Sequence, residues 1–384
     1  MKNNIKKMDK PLFICVTILC VFGAVMIYSA SSVSTILRYN LETYHFFLRQ
    51  IIFVVASYVI GFLIVLNYQT RKYAKFSFFI LTSSIAALVG LFLFASLTND
   101  ARSWYDLKFF SLQPSEFAKS ALIIFSAISY NMLSKSKKFY LKHYLPVLGY
   151  GAIITLLVAA QPDLGSAIII SSISYLMFFS STYAYKNINK IIISTLTLFI
   201  VGLFFFLTVG YNSLTETQLS RFNFFNPCEN INENGYQVCN GYIAMNNGGL
   251  LGLGFGNSTQ KYLYLPESHT DFIFPIIVEE VGLIAGIGVI LLYLIILYRI
   301  IKIARESHNL RCSMLAYGTF WFITLHIIVN LFGVFGLMPL TGVPLPLLSY
   351  GGSSTVNFLI MIFVVLRVSI ENKENSLELA LRKI

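Results

Sequence analysis

Residues 144–181 read YLPVLGYGAIITLLVAAQPDLGSAIIISSISYLMFFSS, two apolar stretches on either side of the turn Gln161-Pro162-Asp163-Leu164-Gly165-Ser166, with Asp163 as the only charge. A helix crossing a bilayer needs about 20 mostly apolar residues. The segment is too long for one crossing and reads as two, about 144–160 and 165–181, joined by a very short turn. Moving outward, comparable runs fall at about 12–32, 50–66, 77–97, 116–133, 191–210, 272–299, 313–336 and 353–369.

The whole composition agrees with this reading. Of 384 residues, 56% are hydrophobic and 12% charged, too few charges to solvate a globular surface. The expected fold is an all-α integral membrane protein of about ten transmembrane helices. The chain forms a single membrane domain, 1–384, without a charged linker, low-complexity tract or internal repeat.

The formal charge of +11 could suggest a nucleic-acid partner, but the basic residues sit in short clusters between apolar runs. With a cytoplasmic amino terminus and ten spans, Arg38, Arg49, Arg102, Lys108, Lys119, Arg221 and Lys261 fall on or near the outer side. All other Lys and Arg of the 28 fall inside. The asymmetry places both termini in the cytoplasm. The first run has no convincing small-residue cleavage site after it and is expected to be a retained helix.

The large outer loop, 211–271, lies between helices 7 and 8. It is rich in aromatic and apolar residues such as Phe222, Phe224, Phe225, Tyr236 and Tyr242. That composition argues against disorder and for amphipathic pieces on the membrane or over a cavity. Cys228 and Cys239 share this loop. A disulfide, allowed in an oxidising compartment, and two free thiols are both open readings.

Ionisable groups at membrane depth are costly and count as functional hypotheses. Glu116 and Lys119 stand three apart at the outer end of a helix, as an internal ion pair or as part of a polar cavity. Asp163 is a helix N-cap or a third member of that cavity. Glu279 and Glu280 lie about two turns into the eighth helix, where at least one must face protein or water. Asp271, in Pro266-Glu267-Ser268-His269-Thr270-Asp271-Phe272, is again a cap or a general base beside a large outer loop, with Glu267 and His269 close in sequence. A helix N-terminus would favour its carboxylate form, so proton acceptance is expected to come from positioning more than from a raised pKa.

Arg102, Arg221 and Lys261 are candidate ligands for phosphate oxygens, or solvated loop charges. The run Gly248-Gly249-Leu250-Leu251-Gly252-Leu253-Gly254-Phe255-Gly256-Asn257 lacks the strand-to-helix context of a dinucleotide site. The loop from Pro339 to Ser354 is rich in Pro and Gly and uncharged, as expected where non-helical backbone lines a cavity. These motifs lie outside, away from ATP, and no P-loop or metal-ligand spacing occurs. A reaction here must use a substrate that is already activated.

Several segments together resemble the SEDS family of peptidoglycan polymerases, the FtsW and RodA proteins. They are Tyr28-Ser29-Ala30-Ser31, Phe46-Phe47-Leu48-Arg49-Gln50, Gln113-Pro114-Ser115-Glu116-Phe117-Ala118-Lys119, Gln161-Pro162-Asp163-Leu164-Gly165, Pro344-Leu345-Pro346 and Ser349-Tyr350-Gly351-Gly352-Ser353-Ser354. The stretch Gly256–Phe272 looks more like the FtsW division branch than the RodA elongation branch. His326, where Gln is expected, is a departure.

The resemblance implies polymerisation of lipid II with β-1,4 transfer and release of undecaprenyl pyrophosphate, for septal wall synthesis. Asp271 would be the catalytic base. Arg102, Arg221 and Lys261 would meet the pyrophosphate, and Glu116, Lys119, Asp163, His269 and Ser353 would line or support the substrate cavity. A divalent cation, Mg2+ or Mn2+, could neutralise the leaving group, although the sequence shows no dedicated cage. The implied partners are a class B penicillin-binding protein acting as transpeptidase and other divisome proteins, in a bacterial plasma membrane. Competing readings are a lipid II flippase, a scaffold that only recruits the transpeptidase, or the same polymerase serving elongation or sporulation.

Overall fold

The computed structural model describes residues 2–94, 103–106, 111–136, 140–181, 183, 187, 189, 227–229 and 233–381. The expected seventh span, 191–210, and the first part of the outer loop lie outside the described residues.

The described chain is almost wholly helical. Helix α1 covers Lys2–Lys7, α2 Lys10–Leu37, α3 His45–Leu63 and α4 Ser77–Phe94. A two-residue hairpin, β1 Tyr105–Asp106 with β2 Ser111–Leu112, precedes α5 Pro114–Lys135, α6 Leu145–Ala159 and α7 Leu164–Phe179. After the partly described outer loop come α8 Glu233–Gly248, α9 Ile273–Val281, α10 Leu283–Arg305, α11 Leu310–Val334 and α12 Gly352–Leu381. Seven of the described helices are long and apolar enough to cross a membrane, and α6 and α7 are shorter apolar helices. These boundaries fall within a few residues of most runs read from the sequence.

The bundle is built around α12, whose 361–370 stretch is buried throughout. A helix that is apolar on every side belongs inside a membrane bundle. The outermost apolar side chains, such as Leu93 at 75% and Phe79 at 70% exposed, face outward as lipid contacts would require.

One expectation needs correction. The run at 272–299 is not one helix but two, broken at Gly282. Gly282 adopts φ +95, and a Cβ there would collide with the backbone of Leu250, Leu251 and Gly252. The glycine run 248–256 lays its backbone directly on this break: Leu253 N and Gly254 N donate to the carbonyls of Glu279 and Glu280 at 2.9 and 3.0 Å, and Leu283 N donates to Gly249 O at 3.0 Å. Glycines are required because two backbones approach without room for side chains. Gly282→Val is therefore expected to destabilise the fold by at least about 1–3 kcal/mol from backbone strain alone. A thermal unfolding midpoint equal to wild type in detergent would refute this.

The break also explains how two adjacent carboxylates can be buried. Glu279 accepts from Ser258 Oγ, from Thr259 Oγ1 at 2.8 Å and from Thr259 N at 3.2 Å. Glu280 accepts from Ser29 Oγ at 2.6 Å and from Lys261 Nζ at 2.9 Å. A buried carboxylate is tolerated only when such donors replace its water.

Cys228 and Cys239 form a disulfide with Cα atoms 5.0 Å apart, settling the reading left open by the sequence. The bridge ties the outer loop to α8.

Candidate active site

The loops at one end of the bundle enclose a cavity of about 590 Å³. Glu116 reaches it from the first turn of α5, Asp163 from the start of α7, and Glu267 and Asp271 from the segment before α9. Asp106 and Ser111 come from the hairpin, and Thr341, Gly342, Val343, Tyr350 and Ser354 from the loop before α12 and its first turn. This is the end that the Lys and Arg distribution assigns to the outside.

Each carboxylate has a distinct setting. Asp163 is the N-cap of α7, accepting from Ser166 N at 3.0 Å, while its second oxygen accepts from Gln113 Nε2 at 3.1 Å. Asp163 is thus a cap, and it also lines the cavity beside Glu116, though not with Lys119. Glu116 Oε1 accepts from Lys119 Nζ at 2.6 Å. Lys119 is fully buried and also donates to His326 Nε2 at 3.1 Å, since His326 Nδ1 lies 2.8 Å from Phe322 O and must carry the proton. Glu116 Oε2 has no hydrogen-bond partner.

Asp271 is half-buried in the cavity wall and is held by its backbone. Three successive carbonyls are engaged: His269 O by Tyr350 N at 2.9 Å, Thr270 O by Ser349 Oγ at 2.6 Å, and Asp271 O by Asn330 Nδ2 at 2.9 Å. Glu267 sits at φ +55, a cost offset where Thr270 N and Phe272 N both donate to its carbonyl at 3.2 Å. Gly342 faces the carboxylate, with a Cβ position 3.5 Å from Asp271 Oδ2 and φ +70.

No side-chain cap bond forms at the start of α9. Of the two readings left open for Asp271, the cap is not the one the structure shows, and helix-end stabilisation does not dominate its ionisation. Burial, and after it the nearby Glu267 carboxylate, push Asp271 up to about 7. The weight given to positioning over a raised pKa is thus revised: desolvation penalises the anion more than the short helix favours it. Burial pushes the His269 imidazole down to about 4, partly opposed by Glu267, so it is neutral at pH 7.

Of the residues singled out from the sequence, Glu116, Asp163 and Asp271 line the cavity together. Lys119, His269 and Ser353 stand behind it. His269 packs between Phe46 and Tyr350, with ring centroids 4.7 and 5.8 Å away. Ser353 Oγ joins the hairpin to α12, accepting from Gln113 N at 3.0 Å and donating to Ser111 O at 3.3 Å. Lys261 is elsewhere, its ammonium buried and committed to Glu280, to Ser29 and to Gly256 O at 2.6 Å. Arg102 and Arg221 lie outside the described residues.

The sequence reading passed over Asn330, Gln113 as a side chain, and Asp106. Asn330 sits in an apolar helix, where a lone polar residue was the available signal.

Among the described residues, five carboxylates and no Lys or Arg line the cavity. Within the same residues, no three His, Cys, Asp or Glu stand close enough to hold a metal ion.

A helical membrane bundle whose outer end holds a half-buried carboxylate in an acid-lined cavity defines a class: a polytopic membrane protein with a polar site at the membrane surface. The family model described as cell cycle protein, covering FtsW, RodA and SpoVE, matches residues 10–374, and the chain belongs to that family. It is 36% identical to the probable peptidoglycan glycosyltransferase FtsW of Bacillus subtilis, over 99% of this chain and 96% of that protein. It is 34% identical to the stage V sporulation protein E of the same organism, over 94% and 96%. The fold matches a chain of a peptidoglycan synthase complex that coordinates polymerisation and crosslinking, with TM-score 0.73 and 22% identity over 95% of this chain and 98% of that one. It also matches the rod shape determining protein RodA of Thermus thermophilus, with TM-score 0.65 and 22% identity over 94% and 96%.

Proposed function

We propose that the chain is a peptidoglycan glycosyltransferase of a bacterial plasma membrane that polymerises lipid II. The observation that carries this reading is Asp271, a carboxylate fixed through its backbone and poised near neutrality at the outer membrane surface. A general base works best with a pKa near the operating pH.

In the proposed reaction Asp271 takes the proton of an attacking sugar 4-hydroxyl. The oxygen attacks the anomeric carbon of the donor, the bond to the lipid pyrophosphate breaks, and inversion yields a β-1,4 link. The pyrophosphate supplies the activation that the outer face otherwise lacks. Arg102 and Arg221 are proposed to meet it, and a divalent cation would arrive with the substrate. Lys261 is better suited to a structural role, since its donors are already committed. The likeness to a chain of a synthase complex that coordinates polymerisation and crosslinking supports a crosslinking partner, proposed to be a class B penicillin-binding protein; septal synthesis with other divisome proteins belongs to the same proposal. Depletion that gives filaments would agree with division, and rounding would indicate elongation.

The purified chain with its transpeptidase partner is expected to convert labelled lipid II into glycan polymer. No polymer from an assembled complex would refute the proposal. The rate should fall as pH drops below about 7, because protonated Asp271 cannot accept a proton. Glu267→Gln removes a charge that raises the Asp271 pKa, so the acidic limb should move to lower pH. An unchanged or upward-shifted limb would contradict the assignment.

A further inference from the structure

Asp271 stands at the boundary of two cavities. Thr341, Gly342 and Val343 belong to the walls of both, and beyond them lies a second cavity of about 260 Å³ that shares Asp271 and Glu267 with the first. Its remaining walls include Gln237 of α8 and Val329 and Asn330 of α11. Asn330 is 4% exposed, and its amide orientation is fixed, because Nδ2 donates to both Asp271 O and Val343 O at 2.9 Å. Its Oδ1 is left without a partner. A buried amide oxygen in that state has lost its water and gained nothing in return.

The chemistry of this cavity suits a sugar. Two carboxylates and the amide oxygen of Asn330 are acceptors, and hydroxyl and acetamido N–H groups are donors. Neither cavity has a Lys or Arg in its described lining, so size and not charge separates the two. The volume of the smaller one lies below the roughly 300–1,000 Å³ of a drug-sized ligand site and suits one sugar ring better than a lipid-linked disaccharide.

We propose that the smaller cavity is the acceptor subsite, in which Asn330 Oδ1 accepts from the acetamido N–H or a hydroxyl of the terminal sugar whose 4-hydroxyl faces Asp271. The larger cavity then holds the lipid-pyrophosphate donor. This assignment rests on the polymerase reading above. In the step, the acceptor O–H bond breaks as Asp271 takes the proton. The oxygen forms a bond to the donor's anomeric carbon, and the pyrophosphate departs with the electron pair. The proton then passes from Asp271 to the released phosphate or to water.

The test uses the full chain with its transpeptidase and two half-substrates. One is a lipid-pyrophosphate disaccharide with its 4-hydroxyl blocked, which can only donate. The other is a disaccharide on a lipid monophosphate with the 4-hydroxyl free, which serves as acceptor. Gln237→Trp and Val329→Phe fill the smaller cavity from two walls, and Ser111→Tyr narrows the larger one.

The first two variants are expected to raise the acceptor KM by about tenfold or more while the donor KM stays within about twofold, and Ser111→Tyr to do the reverse. A rise in the donor KM with Gln237→Trp, or a loss of kcat with both KM values unchanged, would overturn the assignment while the polymerase reading stands. Failure of the wild-type complex to couple the two compounds would overturn the polymerase reading and the subsite with it. Gln237 is half-buried, so its replacement tests the proposal even if Val329→Phe does not fold.

Discussion

Asp271→Asn is expected to lower polymer synthesis by about two to four orders of magnitude, the contribution of a positioned general base. The amide keeps the size of the carboxylate and leaves the three carbonyl contacts around His269, Thr270 and Asp271 in place. Folding and partner binding should therefore match wild type, and the loss should appear in kcat rather than KM. The measurement is the rate of glycan formation from labelled lipid II by the complex with its transpeptidase. Polymer at more than about a tenth of the wild-type rate would remove Asp271 from the base role. The polymerase would then rely on another base, whereas a flippase or a scaffold would give no polymer with either form.

Lys119→Met is the second large expectation. The ammonium is fully buried and is the partner of both Glu116 Oε1 and His326 Nε2, while Glu116 Oε2 already has none. Removing it leaves an uncompensated carboxylate in the bundle, which costs about 3–5 kcal/mol. Glu116→Gln combined with Lys119→Met removes both charges and should recover most of that stability, because replacing a whole buried pair is close to neutral. Unfolding of both variants in detergent checks this. A single variant within about 1 kcal/mol of wild type, on the low scale of surface pairs, would mean that the pair is hydrated and not structural.

His326 → Gln belongs to the same network. A Gln side chain offers an oxygen acceptor to Lys119 as the imidazole nitrogen does, so this change is expected to be far milder than loss of the lysine. The position is the departure noted in the sequence, and its geometry accounts for why both residue types can serve there.

Most of the fold was legible in the sequence because hydrophobic length is a local property. Any stretch near 20 apolar residues must be a helix in a bilayer, since its backbone has no other way to satisfy its hydrogen bonds. The runs at 12–32, 77–97, 116–133 and 313–336 needed no tertiary information to be placed. The break at Gly282 was not legible. Val281-Gly282-Leu283 is apolar on both sides, and what interrupts the helix is the glycine loop 248–256 packed against it from a distant part of the chain.

The same division runs through the candidate site. Intramembrane charge identified Glu116, Lys119, Asp163 and Asp271 because burying an ion is costly wherever it happens. Charge alone could not separate Lys261, which closes a structural pair with Glu280, from residues at the cavity, since both kinds of lysine look alike in one dimension. Nor could it identify Asn330, whose role follows from the carbonyls it holds and the oxygen it leaves free.

The sequence by itself determined a helical membrane protein with its chemistry at the outer end, through the local cost of exposing apolar side chains or burying charged ones. Only the tertiary structure decided which charges neutralise each other, that burial raises the Asp271 carboxyl above the usual carboxylate range, and that two cavities meet at Asp271. Those properties depend on what packs around a group, and segments as distant as residues 113, 163, 271, 330 and 342 come together only when the bundle closes.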